Sequence, residues 1–255
     1  MTTLEICCGS LQSVRAAHEG GAQRVELCSG LSEGGVTPSL GLLVEAQAIG
    51  LPVHVLIRPR GGDFVYSPSE VRAMYTDIIT ARLYGASGVV IGALTTDGDV
   101  DMEVCEQLVA AAKAPLEDNT GLLRPECSIT FHRAFDLCRD PHKALVDIKQ
   151  LGINRVLTSG QAQTAEEGIA LLRQLVEEAG EDLSIMPGCG VSIDNVRRII
   201  DETGAHEIHA SLRSPIESNM LYHKEGVSMG TPGSNEYVWP ETDPELVERA
   251  VRLFI

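Results

Sequence analysis

The sequence predicts an α/β protein folded as a single (β/α)8 TIM barrel, and three observations carry that prediction. Eight short apolar runs alternate with amphipathic stretches along 255 residues, the pattern of repeated parallel βαβ units. The runs recur every 20 to 40 residues or so, roughly eight units, which fits a closed barrel better than an open doubly wound sheet. The first βα turn reads Cys7-Cys8-Gly9-Ser10. It lacks the GxGxxG of a dinucleotide-binding domain, so no nucleotide cofactor is expected.

Each element follows from local pattern. The first strand, residues 3–8, leads into an amphipathic helix over Leu11–Glu19 that Gly20-Gly21 ends. Strand 23–28 precedes a helix over Ser39–Ile49, closed by Gly50. Strand 52–58 precedes a helix over Pro68–Tyr84, where Ser67-Pro68-Ser69-Glu70 supplies a cap, a proline and an acid for the first turn. Val71, Met74, Tyr75, Ile78 and Ile79 give that helix its apolar stripe. Strand 88–93 pairs with a helix over Met102–Ala114, strand 127–132 with Pro141–Leu151, and strand 153–158 with Thr164–Ala179. Strand 183–187 is followed by Ser192-Ile193-Asp194, a second capping signal, and a helix over Ile193–Thr203. Strand 206–211 is the eighth. Residues 212–255, rich in Ser, Gly, Pro and Asn, are expected to form an extended loop over one face and then a final helix over Pro244–Phe254. No linker interrupts the pattern, so residues 1–255 read as one domain.

Composition narrows the function. A formal net charge of -16 argues against nucleic acid and anionic membranes as partners. No apolar run reaches the length that spans a bilayer, and Met1-Thr2-Thr3-Leu4-Glu5 has no signal-peptide character, so a cytoplasmic location is expected. The seven cysteines are odd in number and read as free thiols. Cys105 and Cys127 read as packing residues, whereas Cys7, Cys8, Cys28 and Cys189 sit where strands give way to loops.

Strand side chains alternate between faces. Glu5 and Cys7 therefore share one face of their strand, Glu26 and Cys28 one face of theirs, and the apolar residues between them take the helix side. Buried charge is costly unless used or paired, so this inward charge marks a chemical site. The C-terminal strand ends, where barrels place function, add Arg58, His132 with Arg133 and Asp136, and His209. Glu5, Glu26, Arg58, His132 and His209 are expected to form one polar cluster, in which either carboxylate or either imidazole can act as acid or base. Arg58 is the expected partner of the two carboxylates. The Gly188-Cys189-Gly190 turn before a helix suits an anion, with Ser159 and Arg213 completing the pocket. The alternative places the anion at Arg58. The Arg58–Ser67 loop, with its Gly61-Gly62 pair and aromatic tip, is expected to be a mobile lid.

Several motifs together resemble the CutC family: Glu5-Ile6-Cys7-Cys8, Arg24-Val25-Glu26-Leu27-Cys28-Ser29, Gly34-Gly35-Val36-Thr37-Pro38-Ser39, Arg58-Pro59-Arg60-Gly61-Gly62-Asp63-Phe64, Thr130-Phe131-His132-Arg133-Ala134-Phe135-Asp136, Leu157-Thr158-Ser159-Gly160 and His209-Ala210-Ser211. The match runs in order along essentially the whole chain. It implies a cytoplasmic TIM-barrel protein, a homodimer or homotetramer, from a family labelled as copper homeostasis proteins. It also implies copper(I) binding by two thiols at the positions of Cys7 and Cys28, and soft thiolates suit Cu(I). Two thiols need no mouth lined by carboxylates, imidazoles and a guanidinium. An enzyme acting on a small, anionic metabolite is therefore the second reading, and a non-catalytic oligomeric scaffold the third.

Overall fold

The computed structural model describes residues 2–118, 120–229 and 235–254. Eight parallel strands form the ring: β1 Thr3–Cys8, β2 Arg24–Leu27, β3 Val53–Leu56, β4 Gly88–Ile91, β5 Ser128–Phe131, β6 Arg155–Thr158, β7 Ser184–Pro187 and β8 Glu207–Ala210. They are hydrogen-bonded in the order β8-β1-β2-β3-β4-β5-β6-β7, and β7 lies against β8, so the sheet curls into a nearly closed barrel. Outside it stand α1 Leu11–Glu19, α2 Leu40–Gln47, α3 Pro68–Leu83, α4 Met102–Lys113, α5 Pro141–Gln150, α6 Ile169–Ala179, α7 Val196–Thr203 and α8 Pro244–Arg252. The architecture is the expected (β/α)8 TIM barrel.

The core lies between strands and helices. Leu4, Ile6 and Cys8 of β1 join Val14 and Ala17 of α1 in the main apolar cluster, and Ile129 and Phe131 do the same from β5. Their alternate neighbours point into the ring. A hydrogen bond from Arg24 on β2 to the sulfur of Met186 on β7, at 3.3 Å, spans the interior, because these strands are not neighbours in the sheet. Cys105 and Cys127 are buried packing residues, as expected. The Ser67–Glu70 signal forms a complete capping box at the start of α3.

Some boundaries differ from expectation. β3 ends at Leu56 rather than residue 58, and α6 and α7 begin at Ile169 and Val196 rather than at 164 and 193. The capping signal at Ser192 closes a turn: Asn195 Oδ1 accepts from the Ser192 N–H at 2.8 Å and Ser192 Oγ from the Asp194 N–H at 3.3 Å. These side chains compete with the helix for backbone groups. The stretch after β8 is an arm rather than a plain loop, since β9 Arg213–Glu217 pairs antiparallel with β10 Val238–Thr242. Pro215 lies opposite Pro240 in that ladder, and prolines mask a strand pattern. Residues 230–234 of the arm lie outside the described ones. A small hairpin, Leu116–Glu117 with Leu123–Arg124, also precedes β5. Among the described residues no helix is long and apolar enough to cross a membrane.

Inward glycines make room for imidazoles. Gly88 is the ladder partner of His54, and a Cβ there would lie 2.3 Å from the ring. Gly92 yields in the same way to His132, where a Cβ would lie 2.6 Å from the ring. Gly88→Ala is therefore expected to destabilise the barrel by about 1–3 kcal/mol through overpacking, measured as a lower urea midpoint with unchanged slope. An unaltered midpoint would show that His54 does not depend on that space.

Candidate functional site

The ladder register assembles the site. Glu5 on β1 lies beside His209 on β8 and Arg24 on β2, and the three side chains meet inside the ring. Arg24 Nε donates to Glu5 Oε2 at 2.5 Å, and His209 Nδ1 lies 2.8 Å from Glu5 Oε1. Below them Arg24 Nη2 and Arg155 Nε both donate to Glu207 Oε2, at 2.5 and 2.9 Å. Above them His209 Nε2 stands 3.8 Å from Glu26 Oε2. A column of alternating charge thus runs up the barrel from Arg155 through Glu207, Arg24, Glu5 and His209 to Glu26.

The column sets the protonation of its members. Burial opposes charge on Glu5, yet the His209 hydrogen bond and the Arg24 guanidinium outweigh it and hold the carboxyl well below its usual range. Burial likewise opposes charge on His209, but the Glu26 carboxylate and the bonds to Cys7 and Glu5 raise it well above its ordinary value. Burial pushes Glu26 up. The imidazole is therefore a cation fixed between two carboxylates.

At the top of this column lie the thiols. Cys7 Sγ and Cys28 Sγ are 3.8 Å apart and unbridged. Cys7 Sγ, a Glu26 oxygen and a His209 ring nitrogen all lie within 4.8 Å of one another. The bond to Cys28 and burial push the Cys7 thiol well up, so it is protonated until a cation displaces the proton. Arg213 Nη2 points to the same residue, 3.3 Å from its carbonyl oxygen and 3.7 Å from its sulfur.

Cys7 opens on a cavity of about 380 Å³ lined also by Glu26, Arg58, Phe64, His132 and His209, among others. Four of the five residues expected to cluster line it. Glu5, fully buried, supports it from behind. Arg58 is not the partner of the two glutamates. Its Nη1 donates to the carbonyls of Glu33 and Gly35, both at 2.7 Å, and its Nη2 to that of Gly62 at 2.8 Å. Arg24 takes the partner role instead. It starts β2 two residues before Glu26 and so shares its inward phase, a signal present in the sequence but hidden by attention to strand C-termini. The Arg58–Ser67 loop does cover the mouth with its aromatic tip. It is tied down rather than loose, because Arg60 bonds the carbonyls of Gly61, Asp63 and Val65 and the carboxylates of Asp63 and Glu70.

The structure does not bring the four expected anion-site residues together. The Ser159 hydroxyl donates to the Ala162 carbonyl at 2.7 Å, and its N–H is held by Asp136. The Gly188 N–H donates to the Thr158 carbonyl, Gly190 packs on Thr164, and Arg213 lies at Cys7.

Stability should follow these protonation states. His54 and His132 remain neutral in the folded chain down to about 4 and about 3, chiefly through burial, while the unfolded chain protonates both below 6.5. The unfolded state binds more protons in that interval, so acid weakens the fold; uptake by the raised Glu26 offsets part of the slope. His209 acts at the other end, since stability from its raised pKa is complete below 6.5 and fades as pH climbs through the folded value. Urea unfolding should be most favourable to the native state near pH 6.5, with an acid-side slope of about 1–3 kcal/mol per pH unit. A flat profile would mean that the histidines titrate freely.

Known proteins share both sequence and fold with this chain. The model of the CutC family matches residues 2–214. A family protein CutC from Bacteroides thetaiotaomicron is 51% identical over 228 residues, 89% of this chain and 87% of that one. The copper homeostasis protein cutC homolog of Homo sapiens is 47% identical over 242 residues, 94% of this chain and 84% of its own. The crystal structure of CutC from Streptococcus agalactiae superposes with a TM-score of 0.74 at 34% identity, covering 82% of this chain and 98% of that one. With the barrel, the paired thiols and the ordered motifs already in view, these matches establish that the chain belongs to the CutC family.

Proposed function

We propose that this protein binds copper(I) as cargo in a cytoplasmic copper homeostasis role, with Cys7 and Cys28 as the ligands. The observation that carries the reading is the 3.8 Å separation of two reduced sulfurs on adjacent strands. Soft sulfur donors favour Cu(I) over harder cations, and the residues fit that ion: both thiols can lose their protons to it, and Arg213 stands beside Cys7 to offset the thiolate charge. His209 and Glu26 border the same point. The copper homeostasis names carried by the human relative and the Streptococcus agalactiae protein agree with the reading. A homodimer or homotetramer is part of the same proposal.

A second reading is favoured by one observation: the cavity of about 380 Å³ exceeds what a single ion needs and has the size of a small-molecule site. Glu26 and the His209 imidazolium, 3.8 Å apart at its wall, are placed for acid–base chemistry on a small metabolite. Mass spectrometry of a molecule co-purifying with the protein tests this reading directly.

Titration against a competing Cu(I) chelator tests the first. Cys7→Ser and Cys28→Ser are each expected to weaken binding by roughly 100-fold or more, beyond what loss of a supporting group costs. Affinity should also fall with pH, because protons compete for sulfur. Wild-type affinity in both variants would remove these residues as ligands.

A further inference from the structure

The cavity wall opposite the thiol chemistry has no role in either the copper site or the charged column. There Arg58 and His132 pack against Phe64, with ring centroids of Phe64 and His132 4.9 Å apart and Arg58 Cζ 5.0 Å from the Phe64 centroid. We propose that this wall binds the carboxylate of a small organic acid, with His132 Nε2–H as the directed donor and Arg58 as the fixed positive charge.

His132 is only 4% exposed. Its Nδ1 accepts from the Ala134 N–H at 3.2 Å, which places the ring proton on Nε2. That atom is buried and has no hydrogen-bond partner. An orphaned buried donor is costly, and native structures seldom keep one without a use. Burial and the Arg58 charge keep the ring neutral, so it donates without adding charge of its own.

Arg58 is 7% exposed and, among the described residues, forms no ion pair with a carboxylate. Three backbone carbonyls hold its two terminal nitrogens, and its Nε lacks a partner. The Tyr66 hydroxyl, buried nearby, feels the same charge. A buried guanidinium balanced only by dipoles calls for an anion.

The residues also select the class of anion. Arg133 is bound to Asp136 at 2.7 Å and His209 to Glu5, which leaves Arg58 as the uncompensated cation at the cavity. One negative charge neutralises it. The second charge of a phosphate would instead face Glu26. Carbonyls take both protons of its Nη1 and one of its Nη2, so only the Nε edge of the guanidinium is open to an anion. Leu56 and Leu157 provide an apolar lining for the body of the acid. Phe64 covers both binding groups, so its ring must turn aside as the ligand enters.

This site deepens the second reading above and rests on it only in that the cavity admits a small molecule; it is independent of copper. The test uses the metal-free full chain with ¹⁵N-labelled histidine, titrated with pyruvate, succinate and benzoate and, separately, with inorganic phosphate. At least one carboxylate should shift the His132 Nε2 resonance saturably, and phosphate should not. By calorimetry His132→Gln should bind that acid about tenfold more weakly, the cost of one lost hydrogen bond. Phe64→Trp, which adds bulk over the site without removing either group, should abolish binding while its circular dichroism stays native. Copper affinity, measured on the same variants, should remain at the wild-type level, so failure of either site is seen separately. The proposal is overturned if no acid in the panel gives a saturable shift, if phosphate binds as well, or if both variants bind like wild type.

Discussion

The contact between Glu5, Arg24 and His209 organises the interior of this barrel. A carboxylate with no solvent exposure persists there only because a guanidinium and an imidazolium meet it from the two neighbouring strands. Removing Glu5 would leave two cations facing each other in a dry space, and breaking such a pair by deleting one partner typically costs about 3–5 kcal/mol. The contact also has direction. With Nδ1 committed to Glu5, His209 presents Nε2 to Glu26 and Cys7, so a group deep in the barrel determines which atom faces the mouth. Charge alternates along the column, three carboxylates against two guanidiniums and one imidazolium, and the interior stays near neutrality without solvent.

The same arrangement prepares the thiols. A buried thiol beside a second thiol resists ionisation, so Cys7 stays protonated, and in the proposed reading a soft cation replaces that proton. Under that reading Arg213 and the imidazolium stand on hand for the negative charge that two thiolates and one monovalent ion would leave behind. The barrel supplies rigidity. Both sulfurs project from the region of strand ends whose spacing the parallel ladder fixes, with Gly35 closing over Cys28, where a Cβ would come within 3.8 Å of the sulfur. The proposed site therefore lies at the C-terminal face, above the ion-paired Arg24–Glu207–Arg155 set.

Much of this was legible in the sequence because it depends on periodicity. The alternation of Glu5 with Leu4 and Ile6, and of His132 with Ile129 and Phe131, predicts which side chains turn inward, and the structure agrees. What escaped depends on contacts between distant segments. Arg58 has the right phase and charge to pair with the glutamates, but Gly34-Gly35 and the loop at Gly62 bring backbone carbonyls to it first. Arg24 starts a strand and looks like an edge residue until the ladder sets it beside Glu5. Gly88 opens the expected strand 88–93, but its role in admitting the His54 ring shows only once the ladder sets the two side by side. Ser159 is taken up by Asp136 and the Ala162 carbonyl rather than turned to the Gly188 turn, a pairing that spacing does not announce. Nothing local announces that Arg213 will reach back to β1.

X-ray absorption at the copper edge of the Cu(I)-loaded protein tests the central claim, that Cys7 and Cys28 together hold the ion, most directly. Two sulfur scatterers should dominate the first shell of the wild type, and Cys28→Ser should lose one of them. A wild-type shell made only of nitrogen and oxygen, or one unchanged by the substitution, would contradict the account.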